Sequence, residues 1–236
     1  MKAAAFLLAG AALRARVDGA LWWPEEGVLA VADLHLEKGS WYGARTGQML
    51  PPYDTRETLA RLARAIDETA PRRVVCLGDS FHDAAAAERI DPADAAALAA
   101  LTARVADWIW IVGNHDPDPP RGWGGRVAHE IALAPLAFRH EASRLPLVDH
   151  AGEISGHYHP VAPLTVRGRG LRRRCFVTDG RRLVLPSFGA YTGGLSARDD
   201  AIAGLFSGAY DAMVLGDSGV HRLPASALRA DPDWSG

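Results

Sequence analysis

The sequence of 236 residues predicts an α/β fold, organised as one domain over residues 1–236. Short apolar runs with strand composition alternate with segments whose apolar residues recur at helical spacing. Hydrophobic residues make up 48% of the chain, which at this length supports one large core. The order strand, helix, strand implies a right-handed parallel crossover, and neither a repeat nor a linker divides the chain.

The first residues superficially resemble a signal peptide, because Lys2 precedes a stretch of small apolar residues. Arg14 and Arg16 interrupt that stretch, and the alternation that continues to Trp23 suits a hairpin feeding a sheet. We therefore expect a first strand here and not a cleaved leader. No segment approaches the roughly 18–20 continuous apolar residues of a membrane-spanning helix.

The remaining elements follow from periodicity and from turn signals. Asp91-Pro92 is a cap residue followed by proline, which is typical of a helix start. Asp179-Gly180 is a strong turn signal between two strands. In order, we expect a strand at 28–32, a loop at 37–54, a helix at 55–69, a strand at 74–77, a helix at 92–105, and strands at 108–112, 133–138 (an edge strand because of Pro135), 153–155, 163–177 and 181–185, with a closing hairpin at 212–223.

Charge and cysteine content restrict the class of protein. The net charge of −2 provides no overall field that would draw the chain to nucleic acid or to a membrane, so such a partner needs a local patch. Cys76 and Cys175 are the two cysteines and lie far apart in sequence, which favours reduced thiols in a cytoplasmic protein.

Polar residues follow several of the predicted strands. Asp33 and His35 come after the first buried strand, and residues i and i+2 of an extended backbone project to the same side. In open α/β sheets, ligands bind beyond the carboxyl ends of the strands. A lone Asp-x-His pair is more often solvated than metal-bound, but its recurrence with similar residues at successive strand ends indicates a metal site. The other residues of this kind are Asp79, Asn114, His115, His157 and His159.

This set of ligand types suits divalent transition metals. Carboxylates, imidazoles and one amide oxygen favour Mn, Fe or Zn, and the absence of thiolates argues against a structural zinc site. Asp79 is the natural bridge, since one carboxylate can offer an oxygen to each of two metals. Two metals about 3.5–4 Å apart can activate water and bind phosphate oxygens.

In combination, Asp33-x-His35, Gly78-Asp79, Gly113-Asn114-His115-Asp116, His140 and Gly156-His157-x-His159 resemble the calcineurin-like metallophosphoesterase superfamily. The segments Ala32-Asp-Leu-His-Leu-Glu-Lys38, Leu77-Gly-Asp-Ser-Phe-His-Asp83, Phe138-Arg-His-Glu141 and Pro186-Ser-Phe-Gly-Ala-Tyr-Thr-Gly-Gly194 are similar to its bacterial ligase-associated DNA damage response endonuclease branch. The resemblance extends from about Ala20 onward. It implies a four-layer α/β/β/α sandwich and a manganese-preferring enzyme that acts on DNA beside a ligase and a helicase.

The resemblance also implies a role for each motif residue. The first metal would be held by Asp33, His35, Asp79 and His159, and the second by Asp79, Asn114, His140 and His157. His115 stands where the family places its general acid, oriented by Asp116, to protonate the leaving alkoxide. His129 and His150 are alternatives to His140, which is preferred because it follows an apolar strand.

Four residues are candidates for substrate binding: Arg45, His82, Arg172 and Arg174. His82 departs from the wider superfamily, which more often has aspartate there, and either contacts substrate or packs. The two latter arginines belong to a group of seven between Val166 and Leu183. That group is either a stripe that binds a nucleic-acid backbone or a solvated sheet face.

The predicted function is a dinuclear metal-dependent phosphodiesterase or endonuclease, with DNA as its partner and no membrane partner. Two alternatives remain open. One is a phosphatase or pyrophosphatase that acts on a small nucleotide, and the other is a weakly active, metal-stabilised subunit that binds DNA as a scaffold.

Overall fold

The computed structural model describes residues 3–46, 53–118 and 121–229, and two β-sheets packed face to face form its centre. In the first sheet the strands are adjacent in chain order, with antiparallel pairing up to the fourth strand and parallel pairing beyond it. These strands are β1 Ala3–Leu8, β2 Ala11–Arg16, β3 Leu21–Trp23, β4 Val28–Val31, β5 Arg73–Leu77, β6 Asp107–Ile111 and β7 Arg126–Ala128.

The second sheet contains the remaining strands of the described chain: β8 Glu130–Leu133, β9 Leu136–Arg139, β10 Gly152–Ser155, β11 Val161–Val166, β12 Arg169–Thr178, β13 Arg182–Val184, β14 Asp211–Leu215 and β15 Val220–Pro224. Their order is β15-β14-β12-β13-β10-β9-β8, and β11 pairs with β12 outside this path.

Helices cover the outer face of each sheet. They are α1 Lys38–Thr46, α2 Asp54–Thr69, α3 Ala86–Arg89, α4 Pro92–Ala103 and α5 Asp200–Ala203. Leu62 of α2 and Leu98 of α4 are fully buried against the first sheet, where each contributes about 1.5–3 kcal/mol. Ile202 of the short α5 covers the second sheet. The predicted four-layer sandwich is therefore confirmed, with a thin second helical layer.

Strand β4 explains why its sequence is an uninterrupted apolar run. Val28 and Ala30 face the core between the sheets, whereas Leu29 and Val31 face the helices. A strand buried on both faces is apolar at every position, as expected next to parallel strands. Because this strand lies inside the protein, the polar residues that follow it are held at a fixed place on the edge of the sheet.

The predicted strands and helices are largely present, including the first strand β1, with two corrections. The strand expected at 133–138 is wrong: a turn at Ala134-Pro135 separates β8 from β9, and β9 lies inside the sheet between β8 and β10. Proline has no backbone N–H, so it fits the turn and not the ladder. Similarly, Arg167-Gly168 divides the strand expected at 163–177 into β11 and β12.

The loop expected at 37–54 is also wrong in part, since α1 occupies residues 38–46; residues 47–52 lie outside the described chain. The carboxylate of Glu37 accepts hydrogen bonds from Ser40 Oγ at 2.6 Å and from Thr55 Oγ1 at 2.7 Å. These contacts fasten the first turn of α1 to the start of α2. A tertiary anchor thus overrides a composition that favours a loop.

A buried ion pair beside β13 gives a prediction about stability. Arg182 contacts the carboxylate of Glu153, and both side chains are more than nine-tenths buried. Replacing Arg182 with methionine leaves Glu153 with the partly exposed Arg139 as its remaining cation. We expect the free energy of unfolding to fall by about 3 kcal/mol in urea denaturation.

The neighbouring Arg181 provides the matched control, because it is exposed and its guanidinium donates to backbone carbonyl oxygens, including that of Val148. Arg181→Met should lower the free energy of unfolding by less than about 1 kcal/mol. Equal small losses in the two variants would contradict a structural role for Arg182.

Candidate metal centre

The polar residues singled out in the sequence meet at one edge of the two sheets. Asp33 and His35 follow β4, Asp79 follows β5, and Asn114 and His115 follow β6. From the second sheet, His140 follows β9, and His157 and His159 follow β10. Two groups of potential metal ligands result, each with its ligand atoms within 4.8 Å of one another.

The first cluster consists of Asp33, His35 and His159. His159 Nε2 lies 3.3 Å from Asp33 Oδ1 and 3.3 Å from His35 Nε2. The carboxylate of Asp33 is fully buried and also accepts a hydrogen bond from the backbone N–H of His157 at 3.0 Å. Three electron-pair donors therefore point at a common position.

The second cluster consists of Asp79, His140 and His157, with Asn114 beside them. Asn114 Oδ1 lies 2.9 Å from His140 Nε2 and 3.0 Å from His157 Nδ1. His140 Nε2 and His157 Nδ1 are 3.2 Å apart. Among the described residues, neither cluster includes His129 or His150, and both of these are exposed.

Asp79 stands between the two clusters. Its Oδ1 accepts a hydrogen bond from the backbone N–H of His115 at 2.9 Å. Its Oδ2 lies 3.9 Å from His35 Nε2 in the first cluster and 3.5 Å from His140 Nε2 in the second. One oxygen is thus fixed by the backbone, and the other is shared by the two groups of imidazoles.

The pKa shifts of His35 and His157 suit metal binding. Burial lowers the pKa of His35 far below its ordinary value, and the adjacent His159 lowers it further. Burial and the neighbouring His140 lower the pKa of His157. Burial also acts to lower the pKa of His159, but contact with Asp33 outweighs it and the pKa rises. At neutral pH, His35 and His157 are therefore uncharged and keep a lone pair for a ligand bond.

Contacts behind the clusters set the direction of the rings. His140 Nδ1 lies 2.8 Å from the carbonyl oxygen of Leu77, which can only accept, so Nδ1 carries the proton and Nε2 faces the cluster. The backbone of Gly193 also forms a hydrogen bond with the side chain of His159. His35 Nδ1 is buried and has no hydrogen-bond partner among the described residues. The donor types fit divalent ions.

Close packing explains the glycines of the motifs. A Cβ atom at Gly113 would collide with the carboxylate of Asp79. At Gly156 it would lie 2.6 Å from Asp33 Oδ2. Each glycine therefore leaves room for a ligand side chain from another strand end.

The backbone around the ligands differs from the extended form that we expected. Asp33 has φ +53° and His35 has φ +43°, in the left-handed region. Their amides donate to the carbonyl oxygens of Gly78 and Asp79, at 3.3 and 2.9 Å. The two side chains do meet, but the cause is a backbone conformation fixed by the neighbouring strand end. Left-handed φ values also occur at Asp79, His157 and His159.

His115 is exposed beside the clusters, and the orientation predicted for it requires a correction. The carboxylate of Asp116 does not hold its ring, and accepts instead from backbone amides, including that of Ser80 at 2.8 Å. His115 Nδ1 lies 3.1 Å from the carbonyl oxygen of His82. Adjacent residues project in different directions, so Asp116 points inward while His115 points outward. Since a carbonyl oxygen only accepts, Nδ1 of His115 donates to it, and Nε2 is the ring nitrogen left for other contacts.

An aromatic group that we did not predict lies next to His115. The ring of His82 stacks on that of His115 at 5.3 Å and meets the edge of Trp41 at 4.6 Å. Burial, followed by Lys38, lowers the pKa of His82 to about 4. The guanidinium of Arg45 lies 4.9 Å above Trp41. The i,i+4 spacing of Trp41 and Arg45 is a signal of this helix, within a segment whose composition predicts a loop.

The arginines after Val166 have different positions. Arg172 Nη2 donates to the carbonyl oxygen of Gly194 at 3.1 Å, and Arg174 Nη1 donates to that of Ser187 at 3.0 Å. Burial, followed by Arg61, lowers the pKa of Arg174 to about 10. Both arginines brace a glycine-rich segment beside the first cluster, and their contact with substrate stays a prediction. Arg182 instead pairs with the buried Glu153 and stabilises the fold.

Comparison with known proteins associates this geometry with phosphoester chemistry. Residues 27–182 match the family model described as calcineurin-like phosphoesterase. The crystal structure of Pseudomonas putida nuclease MPE is similar to the chain at a TM-score of 0.73, with 32% sequence identity over 94% of this chain and 100% of that one.

A second solved structure is more distant. It is YfcE, a phosphoesterase from E. coli, with 14% identity, coverage of 83% of this chain and 97% of that one, and a TM-score of 0.44. No curated protein sequence matches the chain. Among the described residues, no helix has the length and hydrophobicity needed to cross a bilayer.

Proposed function

Since the chain belongs to the calcineurin-like phosphoesterase family and is a metal-dependent phosphoesterase, we propose that it is a dinuclear phosphodiesterase that cleaves DNA. The observation that carries the proposal is the position of Asp79 Oδ2 between the imidazoles of two clusters. The similarity to a nuclease over nearly the whole chain supports nucleic acid as the substrate.

The proposed ligands are those predicted from the sequence: Asp33, His35, Asp79 and His159 for one ion, and Asp79, Asn114, His140 and His157 for the other. Manganese is the proposed metal, with iron or zinc compatible with the same donors. When bound, the ions supply Lewis acidity and a nucleophilic water near neutral pH. The protein contributes fixed donors, since backbone groups hold Asp33, Asp79 and His140.

His115 is the proposed general acid. Its Nδ1 donates to the carbonyl oxygen of His82, so in the doubly protonated form of the ring Nε2 carries the proton that can pass to the departing oxygen of a phosphodiester, which leaves a neutral imidazole. Arg45, His82, Arg172 and Arg174 are proposed to contact the substrate. We place this activity in DNA repair, in the cytoplasm, beside a ligase and a helicase.

Two substrates test this function together. With manganese, the protein should nick a supercoiled plasmid and also hydrolyse bis-p-nitrophenyl phosphate. Both activities should disappear after treatment with EDTA and return when manganese is restored. Recovery of activity in this reconstituted sample is the control that separates loss of metal from loss of activity by unfolding.

The alternatives give different results. Hydrolysis of the small diester without nicking would favour a phosphatase or pyrophosphatase that acts on a small nucleotide. Absence of both activities in a manganese-loaded, folded protein would favour the scaffold.

A further inference from the structure

The strands β11 and β12 form an arm that extends beyond the second sheet. Six cross-strand pairs, from Val161 with Arg174 to Val166 with Arg169, join the two strands. Strand β12 pairs with β14 only from Cys175 onward. Six residues at about 3.3 Å each give a ribbon about 20 Å long, of which the base at Val161 to Pro163 is buried. We name residues 161–174 the basic ribbon.

The outer part of the basic ribbon has no core of its own. Residues 165–172 are all exposed, including Val166 and Leu171, at 47% and 38%. A two-stranded hairpin without a buried face gains little stability from burial. The outer part of the basic ribbon is therefore better explained by a binding partner that it contacts.

The charge of the basic ribbon indicates what that partner is. Residues 161–174 contain five arginines and no acidic residue, although the whole chain has a net charge of −2. Arg173 pairs with the exposed Asp217 at 3.3 Å. Within residues 3–46, 53–118 and 121–229, no ion pair joins Arg167 or Arg169 to a carboxylate. A local positive surface on an otherwise balanced chain is complementary to a polyanion.

The turn at the end of the ribbon supports a role for its arginine. Arg167 has φ +50° and Gly168 has φ +76°, so both central residues of the two-residue turn are left-handed. Asn-Gly is the favoured pair in such turns. An arginine in the first position is less favourable for the backbone than asparagine, which indicates that its guanidinium serves another purpose.

The base of the basic ribbon borders the metal centre. Arg172 donates to the carbonyl oxygen of Gly194, and the preceding Gly193 holds the ring of His159. Arg174 donates to Ser187 in the same segment, whose Gly189 donates to the carbonyl oxygen of Asp33. The base of the ribbon is therefore linked through residues 187–194 to Asp33 and His159 of the first cluster.

We propose that the basic ribbon is a binding arm for a nucleic-acid strand, in which Arg167 and Arg169 contact backbone phosphates outside the metal centre. Arginine suits this role because its planar fork matches phosphate oxygens, and the exposed Val166 and Leu171 provide apolar surface for sugars and bases. The inference rests on the proposed function, since it assigns the polymer for the same centre.

The test compares two double variants of the manganese-loaded protein. R167A/R169A removes two charges from the ribbon, and R14A/R64A removes two from exposed arginines of β2 and α2. Binding is measured by fluorescence anisotropy with a labelled 20-nucleotide phosphorothioate strand, which keeps its charges and resists hydrolysis. Each variant's rate on bis-p-nitrophenyl phosphate is the internal reference for a folded centre.

We expect R167A/R169A to weaken binding about tenfold and to reduce the slope of log affinity against log salt by about 1.4. R14A/R64A should bind like the wild-type protein. Arg167→Asn, which relieves the turn, should weaken binding without lowering the melting temperature, and this separates the contact from a folding defect.

Equal losses in the two double variants, or no loss in either, would overturn the proposal. The proposal would also be overturned if polyglutamate displaced the labelled strand at the same concentration of charge as unlabelled DNA does. That result would favour an acidic protein partner. If the wild-type protein binds the strand through the ribbon but does not nick DNA, the nuclease function fails and the binding arm stands. If it nicks DNA and the ribbon variants bind normally, only the binding arm fails.

Discussion

Asp79→Asn is expected to remove most of the bound metal and to lower phosphodiesterase activity by about a hundredfold or more. The amide oxygen would remain at the backbone N–H of His115, where Oδ1 now lies. The NH₂ group would then face the imidazoles of His35 and His140 in place of Oδ2. An NH₂ group has no lone pair to offer a cation, so both sites lose a ligand through one substitution.

Metal content per chain, measured by elemental analysis after dialysis, tests this expectation. Asp83→Asn is the matched control, because Asp83 is near in sequence, pairs with Arg89 at 2.8 Å and lies outside both clusters. It should retain the wild-type metal content. Two ions per chain in the Asp79→Asn protein would disprove the bridging assignment.

His115→Ala is expected to retain metal and to lose about 10²–10³-fold in rate on substrates with alkoxide leaving groups. Alkoxides need a proton as they depart, whereas nitrophenolate leaves without one. The rate on bis-p-nitrophenyl phosphate should therefore fall only severalfold. The exposed side chain of His115, with its Nδ1 held by the carbonyl oxygen of His82, makes it the residue placed for this transfer.

A series of diesters with leaving groups of graded basicity measures this effect. Loss of the acid should steepen the dependence of log rate on the pKa of the leaving group. His129→Ala is the matched control, since His129 is an exposed histidine outside the clusters, and it should follow the wild-type dependence. Parallel lines for wild type and His115→Ala would contradict the general-acid role.

The sequence alone placed the clusters correctly at the sheet edge because each residue follows a strand that composition reveals. Apolar runs such as Val28–Val31 mark strands buried on both faces, and their carboxyl ends meet at one edge. Asp33 and His35 do not, however, have the extended backbone that their i, i+2 spacing suggests. They approach through a left-handed backbone, which depends on hydrogen bonds to Gly78 and Asp79.

Features fixed by distant backbone groups could not be predicted. The carbonyl oxygen that holds His115 belongs to His82, and carbonyl groups have no signature in a sequence. Helix α1 depends on contacts between Glu37 and Thr55, across the start of another helix. The seven arginines looked alike in sequence, yet Arg182 is buried in an ion pair and Arg167 ends an exposed ribbon.

The left-handed backbone of the centre has a consequence for anyone who engineers this protein. Five of its proposed ligands adopt positive φ at a cost of about 1–2 kcal/mol each: Asp33, His35, Asp79, His157 and His159. Glycine or asparagine would adopt a positive φ at a lower free-energy cost at each of these positions. A library screened for thermal stability alone would enrich such replacements. It would therefore select stable variants that lack metal ligands and are inactive. These five codons should therefore be held constant in any thermostability campaign.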